Sequence, residues 1–585
     1  MPTSLRQPLS IVIAIAGMLL ACIDSVHASE PGKPRYPERW VYCSTNLQVD
    51  RSVQETIDQI HRARNAGYTT MLIADYKLQI LDRVPNYYFR NVEKVKQAAD
   101  RAGIELVPTV FPIGYSNGLL SHDPSLAEGL PVIDQPFVIR RRTDAPGLEA
   151  VLDASGSPPI PNGDLEKVRG DRFEGLTFQD NPGVSTFVDR KVAHSGKVSC
   201  RIEPAGNGQP RETTNSRLMM RVRVRPATAY RLSCWARTQD LGPAGAFRML
   251  ALGTGGRPLT FQEGWLGPND EWKKIETVFN SLDQTEVNLY LGLWETGPGK
   301  LWLDEVRLDE VPLINVLRRP GCPISVRSVD GRRTYREGVD LEPVVDRKLG
   351  TVPWPGEYEF DHPGARLLIR SGSKLREGDR LLVSWYHPVI TVGSQVMCCL
   401  SEPKVEEILL DQARRVNQLF RPRTFFMSHD EIRVANWCRT CRDRGLTPGQ
   451  LLAENTRRCV RILRSVSPGA RIVVWSDMFD PQHNAIDHYY LVNGTLQGSW
   501  EGLPKDVIVA NWNRGHARES LRFFERRGHR QIIAGYYDAE DLSNFRDWDS
   551  AARGMTQVLG FMYTTWFHRY DQLEAYGSAI AGSRQ

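Results

Sequence analysis

The sequence predicts a multidomain fold: a (β/α)₈ barrel, interrupted after its third strand by an antiparallel β sandwich and a small β unit. Three observations predict it. Strand-like and helix-like segments alternate at roughly 30-residue spacing near the start of the chain. The same rhythm resumes beyond residue 420. Between the two stretches run short alternating apolar segments punctuated by turn residues.

The 585 residues are 24% charged and 41% hydrophobic, ordinary values that argue against a disordered, collagenous, coiled-coil or multi-span membrane chain. The net charge of +5 is spread without long basic blocks, so no nucleic-acid partner is expected. Met1 to Ala28 reads as a secretory leader: Arg6 in a short n-region, the apolar run Ile11 to Ile23, and Val26-His27-Ala28 before the cut. An exported protein is expected, periplasmic or extracellular, with no transmembrane span. Leu19-Leu20-Ala21-Cys22 also reads as a lipobox, which would make Cys22 a lipid anchor.

The first barrel part is assigned to residues 29–112. Trp40 to Thr45 is its first strand. Ser52 and Glu55 stand at capping-box spacing, Ile57, Ile60 and Ala63 mark a helical face, and Gly67 stops the helix. Thr70 to Asp75 is the second strand. A helix with Val92, Val95 and Ala99 on one face ends at Gly103, and Ile104 to Phe111 is the third strand. The later strands are Thr424 to Ser428, Arg471 to Ser476, Val507 to Asn511, Gln531 to Tyr537 and Gly560 to Thr565. Three and five make eight, within a second barrel part assigned to 381–585. Removing the interruption leaves about 290 residues, a normal barrel size. Leu381 to Trp385 is a ninth candidate, assigned to the inserted region.

Residues 113–158 are assigned as connecting loop, 159–312 as the sandwich and 313–380 as the small β unit. Four stretches of the sandwich, Asn162 to Glu166, Ala193 to Lys197, Tyr230 to Arg237 and Trp302 to Leu308, resemble the jelly-roll carbohydrate-binding modules of the family 4/9 type. The resemblance speaks to fold more than to ligand.

Barrel enzymes work at the carboxyl ends of their strands. Here the ends carry His429-Asp430-Glu431, Trp475 to Asp477, Trp512, Tyr536-Tyr537-Asp538 and Trp566. Aromatic faces stack on sugar C–H surfaces and carboxyls handle hydroxyls and the glycosidic oxygen, so the rim has the composition of a sugar pocket. The loop from Asp480 to Ala485 is a candidate to reach substrate. The adjacent acids Asp430 and Glu431 are the sharpest element.

The chain around them, Leu400 to Lys404, Leu419-Phe420 and Phe425 to Glu431, with Ile472 to Asp477, Leu503 to Trp512 and Gly103 to Pro108, resembles glycoside hydrolase family 20, the β-N-acetylhexosaminidases. That resemblance implies a retaining reaction in which the substrate's own 2-acetamido oxygen attacks the anomeric carbon. It implies Glu431 as general acid and then base, and Asp430 orienting the acetamido N–H. His429, Trp475, Asp477, Trp512, Tyr536, Tyr537, Asp538 and Trp566 would bind substrate, one of the two tyrosines donating to the acetamido oxygen. Departures are present: Ser428 and His429 stand where the family has glycines, and the first strand lacks the family's sugar-binding arginine.

Two other readings keep the same residues. A barrel glycosidase on non-acetylated sugars would pair Glu431 with Asp477 or Asp538. The other is a glycan-binding surface protein whose barrel has lost activity, with the sandwich as the working part. Either way the expected partner is an oligosaccharide, polysaccharide or glycoconjugate. No cofactor and no metal are expected: the histidines lack ligand spacing. Cys438-x-x-Cys441 has no second pair at zinc-finger spacing and reads as a local disulfide or two free thiols.

Overall fold

The computed structural model describes residues 35–153, 160–203, 215–242, 245–261, 264, 266–294 and 299–583. The expected leader and Cys22 lie outside the described residues. Among those described, no helix is long and apolar enough to cross a membrane.

Eight strands, Glu38–Ser44, Thr70–Ala74, Glu105–Val110, Thr424–Met427, Arg471–Trp475, Ile508–Asn511, Gln531–Ala534 and Val558–Tyr563, close into a barrel in chain order. Every pairing is parallel, including the closure of the last strand on the first. All eight are those expected from the sequence. Strand side chains alternate between two faces, so Trp40, Leu72, Val107, Phe426, Val473, Ile508, Ile532 and Met562 fill the interior. Their neighbours Val41, Met71, Phe425, Ile472 and Val509 pack outward.

The first helix, Asp50–Asn65, starts two residues before Ser52. The expected capping box is therefore absent: Ser52 lies in the first turn, its carbonyl accepts from Thr56 Oγ1, and Glu55 pairs with Arg51. Gly103 ends the second helix, Asn86–Ala102, in the left-handed conformation (φ +64°) that glycine adopts without strain. Helices Pro403–Phe420 and Pro448–Val466 flank the fourth strand. The connection from fifth to sixth strand carries no α-helix, only 3₁₀ turns at Asp477–Phe479 and Ser499–Gly502 and the short strand Leu491–Val492, which departs from the β/α alternation.

The segment 113–158 is more than the expected connecting loop. It carries Leu130–Arg141 and Leu148–Leu152, two strands of a six-stranded antiparallel sheet that also holds Ser325–Ser328 and Arg380–His387. Leu130–Arg141 pairs directly with Arg380–His387. The chain thus leaves and re-enters the barrel as neighbouring strands, and the third and fourth barrel strands still meet, Met427 beside Val110. The barrel resumes at Pro403 rather than at residue 381.

The sandwich has a five-stranded and a four-stranded antiparallel sheet. Alternate residues such as Tyr230, Leu232, Cys234 and Ala236, or Leu289, Leu291 and Leu293, are buried between them. The family-type motifs do architectural work here. Glu166 Oε1 accepts from Lys197 N and Val198 N, and Asp304 Oδ2 accepts from His194 N and Ser195 N. Phe261 of this region meets Tyr490 of the barrel rim at 5.0 Å between ring centroids.

Candidate active site

The fourth strand delivers Asp430 and Glu431 to the carboxyl rim, and the fifth delivers Trp475 and Asp477. Glu431 sits in the left-handed region (φ +51°), a conformation that costs a non-glycine residue roughly 1–2 kcal/mol. Two contacts hold it there. Its backbone N–H donates to Asp477 Oδ2 at 2.9 Å. Gly114, in the turn after the third strand, lies so close that a Cβ there would overlap the Asp430 carbonyl oxygen.

The Glu431 carboxylate is gripped by donors: Arg433 Nη2 meets Oε1 at 2.7 Å and the Tyr115 hydroxyl donates to Oε2. Arg433 is itself nearly buried, with its other terminal nitrogen on Gln395 and its guanidinium 5.1 Å from the Tyr490 ring. Asp477 is fully buried and accepts from Asn484 Nδ2 at 2.9 Å and from Trp512 Nε1 at 3.4 Å. Asp430 is different: its Oδ1 is buried with no hydrogen-bond partner.

Three carboxyls thus cluster, and the Arg433 guanidinium pairs with Glu431. Burial pushes the Asp430 carboxyl well above the ordinary carboxylate range, and repulsion from Asp477 and then Glu431 adds to it. Burial also pushes Asp477 up to about 7, against the donors it accepts from. A cluster with these properties holds a proton at neutral pH and titrates as a unit.

Aromatic rings wall this cluster. Trp512 stacks parallel to Tyr537 (6.0 Å, 10°), Tyr537 meets Trp566 edge-on at 5.8 Å, and Trp566 lies 4.9 Å from Tyr42 and 6.0 Å from Trp475. Tyr537 and Trp566 are 46% and 37% exposed, while Trp475 is buried beneath them. The loop from Asp480 to Ala485 reaches the cluster through Asn484 and through His483, whose ring packs on Trp512 at 4.4 Å. Burial lowers the His483 pKa to about 4.

Asp430, Glu431, Trp475, Asp477, Trp512, Tyr537 and Trp566 therefore come together. His429 and Tyr536 do not. Adjacent residues at a strand end point to opposite faces. His429 turns outward, fully buried, to Asn455 of Pro448–Val466 (Nε2 to Oδ1, 3.2 Å). Tyr536 stacks on Tyr563 at 4.1 Å under the last helix. Asp538 stands behind the wall, accepting from Thr565 Oγ1 and from Trp566 N, so it shapes the loop that carries Trp566. Sequence reading missed Tyr42, Gly114, Tyr115 and Arg433. Arg433, two residues past Glu431, was open to notice; Tyr115 and Gly114 are brought in only by the fold.

No family model matches the chain, and no curated protein matches it. Solved structures do. A family 4 carbohydrate-binding module aligns with 26% of this chain and 99% of its own length at 15% identity, TM-score 0.20. A carbohydrate-binding module of Cellvibrio mixtus lichenase 5A, solved with cellotriose, aligns with 23% of this chain and 92% of its own at 15% identity, TM-score 0.17. An arabinose-bound GH51 α-L-arabinofuranosidase aligns with 71% of this chain and 72% of its own at 9% identity, TM-score 0.22. Likenesses this distant carry no activity across to this chain.

Proposed function

We propose that the chain is an exported glycoside hydrolase whose barrel cleaves β-N-acetylhexosaminides by substrate-assisted retaining catalysis. The observation that carries this reading is the buried, unpartnered Oδ1 of Asp430, beside Glu431 and Asp477 and under an aromatic wall. An acetamido N–H is a donor suited to that oxygen. As positive charge develops on the acetamido group, it favours the ionised form of Asp430 and releases the proton the cluster holds. Glu431 takes up that proton, passes it to the leaving oxygen and later takes one from water. The Tyr115 hydroxyl occupies Glu431 Oε2, so the glycosidic oxygen takes its place when substrate binds. Tyr537, exposed at the wall, serves as donor to the acetamido oxygen.

Of the two candidates for a second enzymic carboxylate, only Asp477 faces the cluster, and three donors already hold it. The reading is tested with 4-nitrophenyl β-N-acetylglucosaminide and β-N-acetylgalactosaminide beside plain β-glucoside and β-galactoside. Turnover confined to the N-acetyl sugars supports it. Turnover of plain sugars moves the nucleophile to the protein and makes Asp477 the residue to replace.

A further inference from the structure

Away from the carboxylate cluster, the fold gathers four buried side chains that the sequence scatters over more than 300 positions: Glu128, Cys399, Cys438 and Cys441. Their ligand atoms all lie within 4.8 Å of one another. Cys399 Sγ is 3.5 Å from Cys438 Sγ and 3.4 Å from Cys441 Sγ. Glu128 Oε2 is 3.6 Å from Cys438 Sγ and 3.7 Å from Cys441 Sγ. A tetrahedral zinc ion with Zn–S bonds of about 2.3 Å sets its ligand atoms about 3.8 Å apart along each edge. These four edges, 3.4–3.7 Å, are close to that figure.

The surroundings fit a closed site. Glu128 Oε1 accepts from the backbone N–H groups of Trp437 (2.7 Å) and Cys438 (2.8 Å), which fixes the carboxylate and turns Oε2 toward the thiols. Ser401 Oγ lies 3.4 Å from Cys441 Sγ. Cys399, Cys438 and Cys441 are all free thiols, and a disulfide within this group of four would use two of its three sulfurs and strand a thiol and a buried carboxylate oxygen. A zinc ion uses all four groups, and soft thiolates select it over calcium or magnesium. The set formed by three thiolates, one carboxylate and Zn²⁺ carries two negative charges, with the Arg319 guanidinium packed beside it.

We propose that Glu128, Cys399, Cys438 and Cys441 bind a structural Zn²⁺. Its position gives it a purpose. Glu128 precedes the strand on which the chain leaves the barrel, Cys399 precedes the helix on which it returns, and Cys438 follows Glu431 by seven residues. The ion clasps both ends of the insertion to the loop that carries Asp430 and Glu431. The Cys438-x-x-Cys441 pair is half of the site; of the other half, Cys399 lies 39 residues upstream and Glu128 lies beyond the insertion, which no spacing rule bridges. Cys322 also lies against Cys438, but outside the group of four.

The test needs no activity and so does not depend on the proposed function. Protein purified without added metal is unfolded in guanidinium, its metals are read by plasma mass spectrometry, and its thiols are counted. The expected result is about one zinc per chain with every cysteine titrating as free thiol. Absence of zinc, or a thiol count two short, overturns the proposal, as does iron in zinc's place. Cys441→Ser and Glu128→Gln, each missing one of the four ligands, should purify with well under one zinc per chain, while Cys322→Ser keeps it. Should the cysteine variant fail to fold, Glu128→Gln against Cys322→Ser decides: zinc retained by the first and lost by the second overturns the carboxylate assignment.

Discussion

Gly114 and Asp430 meet backbone to backbone: a methyl group on Gly114 would overlap the Asp430 carbonyl oxygen and stand 3.0 Å from the Glu431 carbonyl carbon. The turn after the third strand and the peptide joining the two acids are therefore one packed unit.

Gly114→Ala should push that peptide away and take Glu431 out of reach of Asp477 Oδ2. A displacement of about 1 Å costs up to 100-fold in rate. We expect kcat to fall about 10- to 100-fold with KM little changed, read by steady-state kinetics. An unchanged kcat would show that the close approach sets nothing.

The proton held by the carboxyl cluster gives a pH dependence with a definite sign. Asp477 is pushed up to about 7. The cluster proton is present below that pH and lost above it, so kcat/KM should fall as pH rises through neutrality. The alkaline limb should move in Asp477→Asn. A profile flat from pH 6 to 9 would contradict the shared proton.

Stability carries the same signature. The folded form keeps the Asp430 carboxyl protonated well above the value of about 3.9 at which the unfolded chain ionises. The resulting penalty is absent below pH 4 and grows as pH rises. Asp430→Asn removes it, so the variant should melt higher than wild type at pH 8 and equal to it at pH 4. Calorimetry at the two pH values reads the difference.

How far the sequence could be read is clear from particular residues. All eight barrel strands carry apolar runs bounded by turn signals, and each was legible. The ninth run, Arg380–His387, pairs with Leu130–Arg141, a partner about 250 residues away that no local pattern announces. At the rim, residue type was legible but direction was not. His429 and Tyr536 sit one position from Asp430 and Tyr537, and that single step turns each to the outer face. Tyr115 and Gly114 were hidden for a related reason: they reach Glu431 from another strand's turn, more than 300 residues earlier.

That one-residue parity is open to test. Tyr537→Ala and Trp512→Ala should each raise KM roughly tenfold, about 1.4 kcal/mol of binding. Tyr536→Phe, beneath the wall, should leave KM and kcat as in wild type. A KM effect from the Tyr536 change equal to that from Tyr537 would reverse the assignment.

Arg433→Lys separates charge from geometry. The guanidinium meets Glu431, Gln395 and the Tyr490 ring at once, and an ammonium has no fork to do so. We expect a loss of roughly 1–2 kcal/mol in stability on denaturant unfolding, with a fall in kcat. Wild-type behaviour of the lysine variant would reduce Arg433 to a point charge.

The most direct measurement is hydrolysis of 4-nitrophenyl β-N-acetylglucosaminide by wild type and Glu431→Gln side by side, with folding of the variant verified by its melting curve. The account predicts turnover by the wild type and a fall of about 100-fold or more in the folded variant. Equal rates in the two proteins, or no turnover of any glycoside by the wild type, would contradict it.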